Sequence, residues 1–318
     1  MRKKLLGVTL AVMTLALAAC GSKDNTTQKE NEQKVTTRVA VDSENNKVEI
    51  PAEPKRIVDL SGSSDILSVL GFDVVGTCNS DGYDYTKLPS YLEDSLKDAK
   101  ILGYSMSDTV DVEAIIGLKP DLIIISKVQA AAKDQLAKIA PTLVVNLEQV
   151  DFKKDFNAVA KIMDKENEAK QWLENYDKTA SEVSALMKEK LGENATYLSF
   201  LASAGSNFVF TNAALGNILY DDLGLARPAK LPEQNDMTLP VVTNEGLAKI
   251  DADYMFVVAT DEDKANLEKD AVYQNLRAVK DNNVIMLTAS PYFNQGYSPV
   301  GRLVFLEELK SFTEELSK

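Results

Sequence analysis

The order of apolar patterns predicts an α/β protein built as two lobes joined by a single long, rigid helix, and three observations carry that prediction. Residues Glu166–Leu191 repeat apolar side chains at three- and four-residue steps, through Ala169, Trp172, Leu173, Tyr176, Ala180, Val183 and Met187, with no Gly or Pro before Gly192. At about 1.5 Å per residue such a helix runs on the order of 37 Å, enough to cross one small domain and reach another. Both flanks alternate short β-branched runs with helical segments, as α/β domains do. The flanks also repeat each other: Val112-Glu113 through Ile125 lays over Asn244-Glu245 through Val257, with the Glu, the apolar pair, Asp121 or Asp253 and a four-residue apolar strand in step. One helix-to-strand unit on each side of a long helix favours two lobes over one.

Taken in order, Glu53-Pro54-Lys55-Arg56 opens the folded part and Arg56–Leu60 is its first strand. Ser61–Ser64 form a turn with a capping hydroxyl, and Asp65 falls in the first turn of a helix reaching Leu70, where an acid suits the helix dipole. Val74–Thr77 follows as a strand, Asn79–Tyr85 and Tyr104–Ser107 as loops, Val112–Leu118 as a helix, Leu122–Ser126 as a strand left by Lys127, and Thr142–Asn146 as the last strand of the lobe. After the long helix come the strand Thr196–Phe200, the loop Ser203–Phe208, the helix Leu215–Leu223 and the irregular stretch Arg227–Asp236, a length that is more often functional than idle. Glu245 begins a helix, Tyr254–Val258 and Val284–Leu287 are strands, Ser290–Tyr297 is a loop, and Pro299–Leu316 is the final helix. The resulting division is a signal peptide at 1–19, an anchor and tether at 20–37, a first lobe at 38–150, connecting helices at 151–192 and a second lobe at 193–318.

The amino terminus gives the address. Arg2, Lys3 and Lys4 precede an apolar run from Leu5 to Ala19, too short for a membrane span and suited to a secretory signal. Leu17-Ala18-Ala19-Cys20 is similar to the bacterial lipobox, which implies cleavage before Cys20 and lipid on its sulfur, with the mature protein anchored on the extracytoplasmic face of the membrane. The polar stretch 21–37 lacks aromatics and reads as a tether. With Cys20 acylated, Cys78 is the remaining thiol and reads as a small buried hydrophobe. Removing Arg2, Lys3 and Lys4 takes 35 basic residues to 32 against 48 acidic ones, a net charge of −16 that argues against nucleic acid or a strongly anionic surface as partner.

In open α/β sheets ligands sit beyond the carboxyl ends of the strands. The loops placed there carry Tyr83, Tyr85, Tyr104, Met106, Lys127, Phe208, Tyr292, Phe293 and Tyr297, an aromatic set that would line a cleft for something partly apolar. The chain contains no His, and it lacks a nucleophile elbow, a phosphate loop, a dinucleotide fingerprint and a Cys cluster. Acidic pairs such as Asp221-Asp222 and Asp261-Glu262-Asp263 read as solvated charge. These features point away from an enzyme, with a surface glycosidase or an adhesin as the rival classes.

Several segments together resemble the lipoprotein substrate-binding components of ABC importers for ferric siderophores, haem and cobalamin. They are Leu-Ala-Ala-Cys20, Pro54–Val58, Ser64–Gly71, Val74–Gly76, Val112–Ile125, Lys138–Thr142 and the connecting helix, and they span nearly the whole mature chain. The resemblance implies two α/β lobes on a rigid helix, a ligand held shallowly between them, no cofactor beyond iron carried as a ferric complex, a monomer, and delivery to a two-subunit permease with its ATPase. It implies that one acid per lobe pairs with permease arginines, at Asp65 and Glu245. Ile123–Ser126 and Ile139–Thr142 look closest to members that bind catecholate siderophores such as petrobactin. The chain has six Arg in all and shows no arginine cage, so a hydroxamate complex held by aromatics, with Lys127, Arg227 or Arg302 adding contacts, fits at least as well. Haem or cobalamin is the alternative cargo.

Overall fold

A computed structural model describes residues 36–318, so the leader, Cys20 and nearly all of the tether lie outside the described residues. Folding begins earlier than the sequence suggested. Strands β1 (Thr37–Val41) and β2 (Lys47–Pro51) pair antiparallel before Glu53. Their alternation buries only Ala40 and Ile50 in the core, so no apolar run announces them. The buried carboxylate of Asp42 turns the hairpin, accepting from the Glu44 and Asn46 amides at 3.0 and 2.8 Å, and also accepts from Val144 N at 3.2 Å, which ties the hairpin to the first lobe.

The first lobe contains β3 (Ile57–Asp59), α1 (Ser64–Val69), β4 (Val74–Thr77), β5 (Lys100–Ile101), α2 (Val112–Leu118), β6 (Leu122–Ile125), α3 (Lys133–Leu136) and β7 (Thr142–Val144). Its sheet has the order β5-β4-β3-β6-β7 and is parallel throughout. All four residues of β6 are buried, as an unbroken Leu-Ile-Ile-Ile run demands of a strand covered on both faces.

The connector is α4 (Phe152–Met163) followed by α5 (Glu166–Leu191), which buries Ala169, Tyr176, Ala180, Val183, Ser184 and Met187 on the face the periodicity predicted. Trp172 stacks between Phe156 and Tyr176, with centroids at 5.0 and 5.4 Å. Trp172 and Leu173 pack against the cores of both lobes, so α5 is shared by two cores and does not merely tether them.

The second lobe contains β8 (Tyr197–Ser203), β9 (Ser206–Val209), α6 (Ala214–Asn217) running into a π-helical turn at Ile218–Asp222, β10 (Val241–Val242), α7 (Asn244–Ile250), β11 (Tyr254–Ala259), α8 (Asp261–Leu267), α9 (Ala271–Gln274), α10 (Arg277–Lys280), β12 (Val284–Thr288), α11 (Ala289–Gln295) and α12 (Pro299–Leu316), which lies along α5. The sheet order is β10-β9-β8-β11-β12, with β8, β11 and β12 parallel, β9 antiparallel to β8 and β10 antiparallel to β9. Two expected loops have regular structure. The expected loop 203–208 is the tip and second strand of a hairpin, turned by Ala204 (φ 48°) and Gly205 (φ 76°) as a two-residue hairpin loop requires. Much of 290–297 is α11.

The internal repeat is present in three dimensions. Both α2 and α7 end in a left-handed residue, Lys119 (φ 48°) and Asp251 (φ 51°), and lead into the strand beside β3 or β8. Asp121 accepts from the amides of Lys55 and Arg56 at 2.7 and 2.9 Å, just before β3; Asp253 accepts from the Thr196 amide and hydroxyl at 2.8 and 2.7 Å, just before β8. One carboxylate therefore clips the neighbouring strand into register in each lobe.

Candidate functional site: an interlobe cleft

The carboxyl ends of β3, β4, β5 and β7 meet the α11–α12 junction across a cleft, where a half-open cavity of about 60 Å³ is lined by residues of both lobes. Behind the first-lobe wall lies Asp59, fully buried at the end of β3. Its carboxylate accepts from the Ser61, Ser63 and Ser64 hydroxyls at 2.6, 3.2 and 2.6 Å and from the Ser61 amide at 3.0 Å. The serines of that turn therefore solvate an internal acid and do not cap α1, whose N-cap Ser63 makes no side-chain cap bond. Burial pushes the Asp59 carboxyl above its usual range despite those four donors.

Three contacts bracket the lobes over this cavity. Ser290 donates to Asp81 at 2.6 Å, the Gly82 amide donates to the Asn294 side-chain carbonyl at 2.8 Å, and Tyr83 meets Phe293 edge-on at 5.8 Å. A Cβ on Gly82 would lie 2.4 Å from the Asn294 oxygen, so only glycine permits this approach. Tyr85 stacks on Tyr104 at 4.7 Å. Gln129 donates to the carbonyls of Ser105 and Ser107 at 2.8 and 2.7 Å, which fixes the loop bearing Tyr104 and Met106.

Of the side chains singled out from sequence, Tyr83, Tyr85, Tyr104, Phe293 and Tyr297 gather at this cleft. Tyr83 and Tyr85 remain largely exposed at its rim, as does Met106. Lys127 is exposed at the carboxyl end of β6, where its amide bonds to Asn146 at 2.8 Å. The others lie elsewhere. Phe208 sits within β9, paired with Val241 and packed on the second-lobe core. Tyr292 packs on Phe305 of α12 at 6.2 Å. Arg227 is at the amino end of β8, next to the Thr196–Ala226 bridge, where Asn212 and Asp221 take its guanidinium at 2.9 Å over the Tyr220 ring. Arg302 is buried, bonded to Asp222 and Asn217 and lying 4.1 Å from the centroid of Phe152. That pair also corrects the reading of Asp222 as solvated charge: its carboxylate has only 4% of its surface exposed, with Tyr176 donating to it at 2.6 Å. An unbroken charged dipeptide gave no hint that one of its members turns inward.

Asp65 is a further correction. An acid that docks on another protein needs exposure, but Asp65 is 3% exposed and lines the cavity, with burial pushing its carboxyl up to about 6. Glu245 is exposed in the first turn of α7, where its own amide and Thr243 hold its carboxyl below the usual range. Its counterpart in the internal repeat, Glu113, is likewise exposed in the first turn of α2. Both helices run back against their parallel strands, which puts each Glu on the cleft side of its lobe. Sequence reasoning also missed Asn79, Ser80, Asp81 and Asn294, small polar residues, of which Asp81 and Asn294 take partners more than 200 residues away in the chain.

This geometry of two α/β sheets facing one cleft along a shared helix coincides with a family assignment. A family profile described as periplasmic binding protein matches residues 63–291. The chain belongs to that family. Among its relatives, the iron(3+)-hydroxamate-binding protein FhuD of Bacillus subtilis is 30% identical over 318 residues, covering 96% of this chain and 97% of FhuD. The petrobactin-binding protein YclQ of the same organism is 28% identical over 327 residues, covering 99% of this chain and all of YclQ. The crystal structure of YclQ superposes with a TM-score of 0.70 at 27% identity, over 88% of this chain and 99% of that one. As a periplasmic binding protein, the chain has the two-lobed architecture the sequence predicted, and no described helix is long and apolar enough to cross a membrane.

Proposed function

We propose that this periplasmic binding protein is the extracytoplasmic receptor of an ABC importer, that it takes a ferric siderophore between its lobes, and that it carries iron as chelated cargo and not as a resident cofactor. The observation that carries the reading is the cleft itself, with an aromatic rim of Tyr83, Tyr85, Tyr104 and Phe293 over a polar floor, as a ligand with an apolar chelating shell and polar arms requires. Relatives named for iron(3+)-hydroxamate and petrobactin binding support it. Arg302 is buried on Asp222 and Arg227 pairs with Asp221 at the amino end of β8, away from the cleft, which favours a hydroxamate over a highly anionic catecholate complex.

In this reading Cys20 carries the lipid that holds the receptor at the membrane, and Glu113 and Glu245 each meet a permease subunit. Titration of the purified protein with ferric trihydroxamates, ferric catecholates, haem and cobalamin, followed by thermal shift, tests the cargo. Binding of a ferric siderophore at micromolar concentration or below is expected, and silence across the panel would refute the proposal. Cys20→Ala is expected to release the protein from the membrane fraction or to leave its leader uncut; a variant still cleaved and membrane-bound would refute the anchor.

A further inference from the structure

The cavity at the base of the cleft has a charge character that the aromatic rim does not reveal. Among the residues that line it, none is Lys or Arg. Its acid, Asp65, has one oxygen 2.8 Å from the Ile66 amide, and Ser298 at the start of α12 lines the same cavity and acts to lower its carboxyl against the effect of burial. Those two helix amino termini are the positive features facing it. The remaining charges nearby have the same sign: Asp59 and Asp81 are both buried, and Asp59 raises the Asp65 carboxyl further. Burial first, and then the charges of Asp65 and Asp81, drive the neighbouring Tyr91 hydroxyl well above its ordinary range. Arg302, in the adjoining cavity, is neutralised by Asp222.

A second and independent feature borders the same space. Ser80 is 3% exposed, lines the cavity, and its hydroxyl has no hydrogen-bond partner among the described residues. A buried hydroxyl left without a partner is costly unless something else occupies the site. The cavity, at about 60 Å³, is too small for a ferric chelate but has room for the end of one ligand arm.

Resting on the receptor reading above, we propose that this cavity is a subsite for a positively charged, donor-bearing arm of the cargo, so that the protein favours ferric complexes with a terminal ammonium. The chemistry is complementary. A primary ammonium offers three N–H donors and accepts nothing, and it meets the Asp65 carboxylate and the Ser80 oxygen. Three hydroxamates cancel the charge of ferric iron and leave an ammonium arm as the net positive charge, whereas three catecholates leave the complex strongly anionic and opposed by Asp59, Asp65 and Asp81. Asp65 is then a specificity-determining residue and not a docking contact.

The test compares a linear ferric trihydroxamate bearing a free terminal ammonium with the same complex acetylated on that nitrogen, which keeps the iron centre and removes the charge. The intact protein is expected to bind the ammonium form between about tenfold and a hundredfold more tightly. Asp65→Asn should bring that ratio to within about twofold of one, and Ser80→Ala, a smaller change at a residue that bonds nothing else, should lower it by a few fold. Equal affinities for the two forms, or a ratio untouched by Asp65→Asn in a variant that melts cooperatively, would overturn the subsite while leaving the receptor reading intact. Failure to bind either form or any other ferric siderophore would overturn both.

Discussion

The two lobes share one unit and differ in the next, and the difference locates the site. In each, a helix with a left-handed end feeds a central strand whose leading Asp clips the neighbouring strand, through Asp121 in the first lobe and Asp253 in the second. After that neighbouring strand the lobes diverge. The first lobe crosses over through α1 into a parallel strand, which brings Asp59 and Asp65 into the protein at the base of the cleft. The second turns straight back at Ala204-Gly205 into the antiparallel β9 and covers the cleft with α11. A polar floor thus comes from one lobe and a cover of Ser290, Phe293, Asn294 and Tyr297 from the other. Repetition set the scaffold, and departure from it made the pocket.

The largest expected effect separates the buried acids of the two lobes. Asp222, in the second, is paired with buried Arg302 and more loosely with the part-exposed Lys153 at 3.8 Å, and Arg302→Leu would leave its buried carboxylate only the weaker cation, a loss of about 3 kcal/mol in denaturant unfolding. Asp65, in the first, has no such partner among the described residues, so Asp65→Asn should cost nothing comparable. A mild Arg302→Leu phenotype would erase this contrast.

Next in size is docking. If the repeat carries over to the permease, Glu113→Lys and Glu245→Lys should each replace an attraction with a repulsion costing several kcal/mol, abolishing uptake in cells while affinity for ferric trihydroxamate stays the same. Normal uptake by the double variant would show that both acids serve only their helices.

The clips offer a smaller, paired test. Asp121→Ala and Asp253→Ala should both destabilise, Asp253→Ala by roughly 1–3 kcal/mol because it strands the half-buried Thr196 amide and hydroxyl, and Asp121→Ala by roughly 1 kcal/mol because the Lys55 and Arg56 amides it frees can turn to water. A large effect at one and none at the other would mean the likeness is only of sequence.

The smallest effect is a pH dependence. The Asp65 carboxyl is pushed from 3.8 up to about 6 in the folded protein, so the native state holds its proton more tightly than the unfolded chain. Its burial therefore weakens stability above pH 6, and that penalty fades as pH falls from 6 toward 4. Asp65→Asn should raise the melting temperature by a few degrees at pH 7.5 and by less at pH 4.5; an equal gain at both would assign it to packing.

Much of this fold was legible because the signals were local. The periodicity of 166–191, the apolar run of β6 and the Glu-to-Asp spacing of the repeat each report a strand or helix from its own residues. The hairpin before Glu53 was not legible, since its two buried side chains, Ala40 and Ile50, make no pattern. The rim aromatics could be found by placing loops at strand ends. The floor could not, because Asp65 reads as an ordinary first-turn acid until α12 closes over it. Arg227 and Arg302 misled for the same reason: an arginine's partner is a matter of tertiary structure, and Asp221 and Asp222 stand next to each other in sequence while serving different ones.

The central claim, that cargo is held between a first-lobe floor and a second-lobe cover, is tested most directly by amide hydrogen exchange on the purified protein with and without a saturating ferric trihydroxamate. Binding should slow exchange together in 79–85 and 289–297, with little change around Arg227 at the opposite end of the second sheet. Protection confined to one lobe, or centred on the Arg227 stretch, would contradict it.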